Sequence, residues 1–322
     1  MRKLIWAFAA VFVLLALSLA AALMFSVPSK PPIMASVNNP FAGVDFRSLP
    51  KLETFAARDG AQLGYRLYPG TGESVVVLIH GSSDEGTGLH VLATALQGDG
   101  ASVYVPEIRG HGRSGTRGDI DTIGQLEDDL SDFVGVIRQQ HKDAPPSLVG
   151  FSSGGGFVLR VLARPVETLF ARFVMISPAL PYGAPTLRPG TGGWVSVAVP
   201  RIVALTLLNR MGVTRFNGLG VVAFATDPAV KHLTDSYSFR LAANFGATPD
   251  YLKAFAATPK PVALLVGGAD ELFYSDQFAP LFEPLRRDFR VTLVPGIDHI
   301  NMTLAPQAVA AVRSALSAPT KP

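Results

Sequence analysis

A ten-residue stretch near the middle of the chain reads Ser147-Leu148-Val149-Gly150-Phe151-Ser152-Ser153-Gly154-Gly155-Gly156. Its first half is apolar and has strand character, and the residues after it follow a helical pattern. A serine between a strand and a helix, with glycine two positions away on each side, is the sequence form of a nucleophile elbow. The sharp turn crowds Gly150 and Gly154, so residues without a side chain are expected there. The stretch predicts that Ser152 projects beyond a sheet, with a helix N-terminus behind it that stabilises negative charge.

Strand and helix patterns alternate on both sides of this stretch. Short apolar runs typical of strands occupy residues 75–79, 101–105, 148–149, 173–176, 262–266 and 291–294. Helical patterns occupy residues 89–96, 123–140, 157–162, 276–287 and 306–316. Two alternating runs around a tight turn at residues 58–60 precede them and predict a β-hairpin. The order predicts an α/β fold with a mostly parallel sheet, helices on both faces and an N-terminal hairpin.

The alternation lapses between Ser177 and Pro261, where prolines and glycines interrupt short apolar stretches. This interval is expected to form a helical cap inserted over the carboxyl edge of the sheet. The chain therefore divides into four expected parts. They are residues 1–26, a transmembrane anchor or signal peptide; 27–50, a proline-rich linker in extended form; 51–178 with 258–318, the α/β core; and 179–257, the cap.

The N-terminal segment has the character of a membrane-targeting sequence. Arg2 and Lys3 precede an apolar run from Leu4 to Phe25 whose only polar member is Ser18. As a helix rising 1.5 Å per residue, this run would extend about 33 Å, enough to cross a bilayer. Its length favours an uncleaved anchor over the alternative, a signal peptide cleaved at a small-residue site. Either way, the rest of the chain is expected to be exported, and periplasmic if the organism is bacterial.

Composition narrows the functional classes. With 48% hydrophobic and only 16% charged residues, the chain is expected to fold around a core. The formal net charge is +3, but the chain beyond residue 29 carries 26 basic and 25 acidic residues, so no nucleic-acid partner is indicated. The absence of cysteine excludes disulfides, thiol catalysis and thiolate metal sites. No metal-ligand spacing occurs, so no metal is expected.

A turn that can present backbone N–H groups follows the strand at residues 75–79. It reads His-Gly-Ser-Ser at residues 80–83. Acyl transfer needs such donors aimed at the developing oxyanion. The amides of Ser82 and Ser153 are the candidates for this oxyanion hole, and the amide of Ser83 is an open alternative to that of Ser82. The histidine of the turn is expected to brace the loop.

An acid and a base follow later strands in the expected order. Functional residues gather at the carboxyl ends of parallel strands, and Asp270 follows one of them, so it is favoured over the surface residue Asp276. His299 is the only histidine beyond Asp270 and lies just past the final strand. Asp298 is a weaker candidate acid, because an immediate neighbour rarely reaches the imidazole properly. The order serine, acid, histidine is that of a hydrolase triad on this type of sheet.

Two other patterns carry less weight. Residues 110–115 fit G-x-G-x-x-G, but they do not open a helix after a first strand, so a dinucleotide site is not indicated. The insertion contains four arginines and no acid before Asp227; they are Arg188, Arg201, Arg210 and Arg215. They are interpreted as scattered surface residues above an apolar lid. A cap that faces anionic lipid or an acidic substrate is the alternative.

Together these segments resemble the α/β-hydrolase superfamily, in the serine hydrolase branch that contains monoacylglycerol lipases, lysophospholipases and serine aminopeptidase-like proteins. The segments that carry the resemblance are residues 80–83, 106–114, 150–154, 268–270 and 296–299. The resemblance covers about residues 52–318 except the cap. It implies that Ser152 is the nucleophile, His299 the base and Asp270 the orienting acid, with the amides of Ser82 and Ser153 as oxyanion hole.

The resemblance also implies a reaction. A carboxylic ester, such as a lysophospholipid or a monoacylglycerol, would be cleaved through an acyl-enzyme on Ser152. No metal or organic cofactor is needed, and the partners are a small acyl ester or lipid and the membrane reached through the N-terminal segment. An acyltransferase or a serine peptidase with the same triad stays open. A non-catalytic binding protein is least favoured, because all three triad positions are present.

Overall fold

Eleven strands form in the computed structural model, which describes residues 2–142 and 144–318. They are β1 (Leu52–Ala56), β2 (Gln62–Tyr68), β3 (Val75–Ile79), β4 (Ser102–Pro106), β5 (Ser147–Phe151), β6 (Arg172–Ile176), β7 (Val195–Val197), β8 (Gly220–Phe224), β9 (Ser236–Ser238), β10 (Val262–Gly267) and β11 (Thr292–Val294). Eight of them form one sheet in the order β1-β2-β4-β3-β5-β6-β10-β11. The other three, β7, β8 and β9, form a separate antiparallel sheet.

The main sheet has the topology that the sequence predicts. β1 and β2 form the antiparallel hairpin, β2 pairs antiparallel with β4, and every other pairing in the sheet is parallel. Every residue of β3, β4 and β6 is buried. This double-sided burial is the physical reason for the continuous apolar runs, since no face of these strands meets water.

Ten helices complete the described part of the chain. They are α1 (Arg2–Phe25), α2 (Ala35–Asn38), α3 (His90–Gly98), α4 (Gln125–Gln140), α5 (Ser153–Leu162), α6 (Val199–Arg210), α7 (Phe239–Asn244), α8 (Tyr251–Ala257), α9 (Phe278–Phe282) and α10 (Pro306–Ser317). Short 3-10 turns occupy Asn39–Gly43, Phe46–Ser48, Thr87–Leu89, Pro165–Leu169, Pro189–Gly193, Ser275–Gln277, Glu283–Leu285 and Ile300–Met302. α3 and α10 pack together on one face of the sheet, while α5 covers β5 and β6 and contacts α8. The α/β fold with helices on both faces is confirmed.

The turn between β5 and α5 is sterically the tightest point of the fold. Ser152 has φ 54° and ψ −118°, a backbone conformation that residues with a side chain rarely adopt. A Cβ at Gly150 would lie 2.2 Å from the carbonyl oxygen of Gly154. A Cβ at Gly154 would lie 2.5 Å from the carbonyl oxygen of His80. Neither position can hold a side chain, which is the crowding that the sequence predicts.

The segment after α1 is not the extended linker predicted for residues 27–50. Residues 26–34 have no regular secondary structure, but the next part coils into α2 and two 3-10 turns, and Val37 is buried. Pro40 lies in the first turn of a 3-10 helix, where its missing N–H needs no partner. The structure thus departs from the extended prediction at residues 35–48, because proline at the position of Pro40 starts a helical turn instead of extending the chain.

The insertion between β6 and β10 is more mixed than the helical cap that the sequence predicts. It holds α6, α7 and α8 together with the small sheet of β7, β8 and β9. Two of these strands have three residues, too few to show an alternating pattern, and Gly220–Phe224 is a short run of apolar residues and glycine without alternation. On the outside, Leu23 of α1 packs against a small apolar cluster formed by Leu205, Val221 and Phe239.

α1 is long and apolar enough to cross a membrane by length and composition alone. It spans 24 residues, and its 18-residue window has a mean hydropathy of 2.6. None of that window is buried against the rest of the protein. A signal sequence has the same features, so the helix is a candidate for either role.

The elbow glycines can be tested by adding a single methyl group. Gly150→Ala is expected to lower the free energy of unfolding by about 3 kcal/mol or more, because the backbone of two elements must separate. Gly135→Ala is the matched control, since Gly135 is an exposed residue inside α4 whose Cβ would meet no atom within 4 Å. This control should raise stability by about 0.5–1 kcal/mol.

Denaturant unfolding of the full chain in detergent micelles measures both changes. Equal effects at the two glycines would contradict the steric argument.

Candidate active site

Three side chains from separate parts of the chain meet at the carboxyl edge of the sheet. Ser152 lies between β5 and α5, Asp270 follows β10, and His299 follows β11. The Oγ of Ser152 lies 3.0 Å from Nε2 of His299, and Nδ1 of His299 lies 2.8 Å from Oδ2 of Asp270. All three side chains are buried. The structure therefore brings together the three residues that the sequence singles out, in the geometry of a hydrogen-bonded chain.

The environment of Asp270 determines which nitrogen of His299 holds the proton. Burial by itself would raise the pKa of Asp270, but the charge and hydrogen bond of His299 and the N–H of Leu272 hold this pKa below its usual value. Its Oδ1 accepts from the N–H groups of Leu272 and Phe273 at 2.9 and 3.0 Å. A carboxylate can only accept, so Nδ1 of His299 donates to it. In the neutral form of the ring, Nε2 is then the nitrogen that can accept the hydroxyl proton of Ser152.

The two other acids considered from the sequence lie elsewhere. Asp298 accepts from the backbone N–H and the Nδ2 of Asn301, both at 2.9 Å, so it closes the turn after His299. Asp276 is exposed and accepts a hydrogen bond from Gln277.

Glu271 has a supporting position that the sequence reading missed. Its Oε2 accepts from the backbone N–H of His299 at 3.0 Å. This contact holds the loop that carries the imidazole, so the two consecutive acids after β10 contact different parts of His299.

The two serine amides in the loop after β3 differ in their hydrogen bonding. Ser83 has φ 72°, and its N–H donates to Oη of Tyr237 at 2.9 Å. Within the described part of the chain, the N–H of Ser82 has no hydrogen-bond acceptor. Ser153 is the first residue of α5, where a backbone N–H has no partner inside the helix. The amides of Ser82 and Ser153 are thus the two available donors beside Ser152, while that of Ser83 is occupied.

A buried chain of hydrogen bonds ties this loop to the cap. Nδ1 of His111 lies 3.1 Å from the carbonyl oxygen of Ile108, so it must donate, and Nε2 must accept. Nε2 lies 2.6 Å from Oη of Tyr237, which therefore donates to it while accepting from Ser83. Burial, reinforced by neighbouring His80, holds the pKa of His111 well below its usual value. The ring is neutral, as the chain requires.

His80 braces the neighbouring loops, as the sequence predicts. Its Nδ1 donates to the carbonyl oxygen of Gly81 at 2.7 Å, and its Nε2 accepts from the N–H of Ile108 at 3.1 Å. The ring is fully buried, and this burial lowers its pKa. The neutral imidazole thus uses both ring nitrogens in hydrogen bonds, one to the residue before Ser82 and one to the loop after β4.

Ser152 and His299 line a cavity of about 590 Å³, a size typical of small-molecule sites. Its walls come from the loop after β3, from the cap and from the segment after α1. Most of the lining is apolar, including Phe41, Phe151 and Trp194. Nε1 of Trp194 donates to Oγ of Ser82 at 3.0 Å, which joins the cap to the floor of the cavity.

The remaining patterns from the sequence have structural roles. Gly110–Gly115 forms a loop in which Oγ of Ser114 accepts from the N–H of Gly64 at 2.8 Å. In the cap, Arg201 is buried and donates to the carbonyl oxygen of Gly220, while Arg188 donates to that of Phe273. Arg215 stacks over the ring of Phe216. Only Arg210 and Arg215 are exposed among the four arginines, all of which lie in the described part of the chain.

Comparison with known proteins places this chain in a family. Residues 71–303 match the family described as serine aminopeptidase, S33. A monoacylglycerol lipase from Mycolicibacterium smegmatis is 33% identical over 131 residues, which are 39% of this chain and 46% of that protein. A monoglyceride lipase from Mus musculus is 28% identical over 265 residues, which are 80% of this chain and 85% of that protein. This chain thus spans less than half of the first relative and most of the second.

The fold is also found among solved structures. A soluble variant of monoglyceride lipase from Saccharomyces cerevisiae, solved with a substrate analog, superposes with a TM-score of 0.62 and 21% identity. The superposition covers 87% of this chain and 99% of that one. The chain therefore belongs to the serine aminopeptidase S33 family and is an α/β-hydrolase that resembles the monoacylglycerol lipases.

Proposed function

We propose that this protein is a serine hydrolase that cleaves carboxylic esters of fatty acyl chains, with a lysophospholipid or a monoacylglycerol as substrate class. The observation that carries the proposal is the hydrogen-bonded chain of Ser152, His299 and Asp270 at the floor of an apolar cavity. The similarity to monoacylglycerol lipases supports the same substrate class.

The geometry supports an acyl-enzyme mechanism. Nε2 of His299 takes the hydroxyl proton as Oγ of Ser152 attacks the acyl carbonyl carbon. The tetrahedral intermediate then expels the alcohol, which receives that proton from Nε2, and the acyl group stays on Ser152. A water molecule gives a proton to the same nitrogen and attacks the ester, which releases the fatty acid and restores the serine. Asp270 stays charged throughout and stabilises the imidazolium.

The amides of Ser82 and Ser153 are proposed to stabilise the oxyanion. Neither amide is used elsewhere in the described structure, and both flank Ser152. Loss of one such donor typically lowers the rate by about 10²–10³. Ser83 acts indirectly: its bond to Tyr237 fixes the backbone that presents Ser82.

An aminopeptidase is the second candidate, and one feature of the cavity favours it. Asp84 and Asp227 both line the cavity, and carboxylates can bind the ammonium group of a peptide N-terminus. The two candidate functions are distinguished by comparing kcat/KM for p-nitrophenyl fatty acyl esters with kcat/KM for aminoacyl p-nitroanilides. Faster release from the anilides would overturn the ester hydrolase proposal in favour of the peptidase.

α1 is proposed to keep the enzyme at a membrane, with the catalytic domain outside the cytoplasm. The helix is long enough to span a bilayer, and two basic residues, Arg2 and Lys3, begin it. Carbonate-resistant association of the full chain with membranes tests this placement, and release into the soluble fraction would contradict it.

Ser152→Ala is expected to abolish both ester hydrolysis and covalent labelling by a fluorophosphonate probe, because the probe reacts with an activated serine hydroxyl. Ser74→Ala is the control, since Ser74 is exposed and precedes β3 at the far end of the strand. In-gel fluorescence reads the labelling, and a lack of labelling in the unmodified protein would overturn the proposed function.

Asp270→Asn is expected to lower kcat by about 10⁴, because an amide can donate to Nδ1 and so place the ring proton on Nε2. The ring then cannot accept the proton of Ser152. Steady-state kinetics on a p-nitrophenyl ester measures the change, with Asp276→Asn as control because Asp276 is exposed. A comparable loss in the control, or activity retained in Asp270→Asn, would argue against this assignment of the acid.

Tyr237→Phe is expected to lower kcat by about 10–100-fold with little change in KM, because the amide of Ser83 loses its acceptor and the oxyanion loop shifts. Tyr104→Phe is the control: its buried hydroxyl donates to Gln140 at 3.1 Å, away from the site. Each variant should lose about 1 kcal/mol of unfolding free energy. If kcat falls equally in both, Tyr237 has only a general structural role.

A further inference from the structure

We infer that the segment after α1 forms the wall that receives the acyl chain, and that Phe41 determines which chain lengths fit. The segment, residues 34–49, is called the strap below. It precedes the family match at residues 71–303, so it is a feature of this chain beyond the matched region. The inference rests on the proposed function, because it names a subsite for the same substrate.

The first end of the strap is fixed to the cap. The N–H of Met34 donates to the carbonyl oxygen of Ala225 at 3.2 Å, and Nδ2 of Asn38 donates to the same oxygen at 3.0 Å. Oδ1 of Asn38 accepts from the N–H of Asp227 at 3.3 Å. Just before the strap, Nζ of Lys30 pairs with Asp235 at 3.1 Å. These contacts hold the segment against a cap stretch that also lines the cavity.

The second end of the strap is fixed to the α/β core. Oγ of Ser48 lies 3.1 Å from Nε2 of His90, at the start of α3. The ring of Phe46 lies beside the same imidazole, with 6.0 Å between the ring centroids. The strap therefore bridges cap and core, and its residues line the cavity together with residues of both.

Phe41 lies midway along this bridge and packs on a backbone surface. A Cβ at Gly88 would lie only 3.1 Å from the ring of Phe41, so the missing side chain of Gly88 makes room for the ring. Both residues line the cavity. A small change in size at Phe41 therefore changes the free length of the cavity directly.

The side chains that the strap adds to the cavity fit an acyl chain better than a polar head group. Of the strap's seven lining residues, five are apolar and two carry neutral amides; the apolar ones are Val37, Phe41, Ala42, Phe46 and Leu49, and the amides are Asn38 and Asn39. The carboxylates on the lining belong to Asp84 and Asp227, outside the strap. Burial of each additional methylene against such a wall corresponds to about a fourfold gain in affinity or kcat/KM.

Two opposite substitutions test this inference. Phe41→Ala should move the optimum of kcat/KM toward longer chains across p-nitrophenyl esters from butyrate to palmitate, with about a fourfold gain for each methylene newly accommodated. Phe41→Trp should move the optimum toward shorter chains. Leu293→Ala is the control, because Leu293 is an exposed apolar residue on β11, and its profile should match that of the unmodified protein.

Fluorophosphonate labelling checks that each variant is folded and has a reactive serine. If both Phe41 variants are labelled normally and keep the unmodified chain-length profile, the inference is wrong while the proposed function stands. If the unmodified protein neither hydrolyses esters nor is labelled, the proposed function itself fails.

A binding measurement tests the role of the strap in chain-length preference without requiring catalysis. On the Ser152→Ala background, cis-parinaric acid is displaced by saturated fatty acids of 8 to 18 carbons, and the fall in the directly excited fluorescence of this probe follows the displacement. Phe41→Ala should favour longer fatty acids by the same factor per methylene, and Phe41→Trp shorter ones. Displacement curves that do not change with either substitution would overturn the inference whatever the reaction proves to be.

Discussion

The close approach of backbone at Ser152 is the constraint on which the rest of the site depends. A residue at φ 54° costs on the order of 1–3 kcal/mol, and it persists only when its surroundings hold it. Here the N–H of Ser152 donates to the carbonyl of Ile176 on β6, and its own carbonyl accepts from Gly156 and Ala179. The glycines allow this packing, and neighbouring strands supply the hydrogen bonds. The strained turn thus aims one hydroxyl at the histidine, and the amide of the next residue has no acceptor among the residues that the structure describes.

Near Ser152, buried polar groups form two hydrogen-bonded chains in which the donor and the acceptor of each bond are determined. Asp270 holds the proton on Nδ1 of His299, and the carbonyl of Ile108 does the same for His111. In the second chain, the hydroxyl of Tyr237 joins the cap to the loop that presents Ser82. Such networks are stable because every member has its partner, and an unpaired member would be costly in a buried site. The cap therefore helps to hold the geometry of the site as well as covering it.

The cavity is assembled from segments that belong to different parts of the fold. The sheet provides its floor, the cap provides Trp194, and the segment after α1 provides a third wall. That segment directly follows the helix proposed to span the membrane, and α1 also packs against the cap through Leu23. The candidate membrane helix and one wall of the cavity are thus built from contiguous chain.

The sequence by itself determined the elements whose rules are local. Buried strands read as continuous apolar runs, the elbow required Gly150 and Gly154, and the order of Ser152, Asp270 and His299 followed from strand ends. Tertiary structure decided what depends on contacts between distant residues. Tyr237 meets Ser83 across 154 positions, and Asn38 meets Ala225 across 187, and neither pair has a sequence pattern. The proline-rich stretch suggested an extended linker because its contacts with cap and core exist only after folding. The shape of the cavity depends on the same contacts, and no local propensity encodes them.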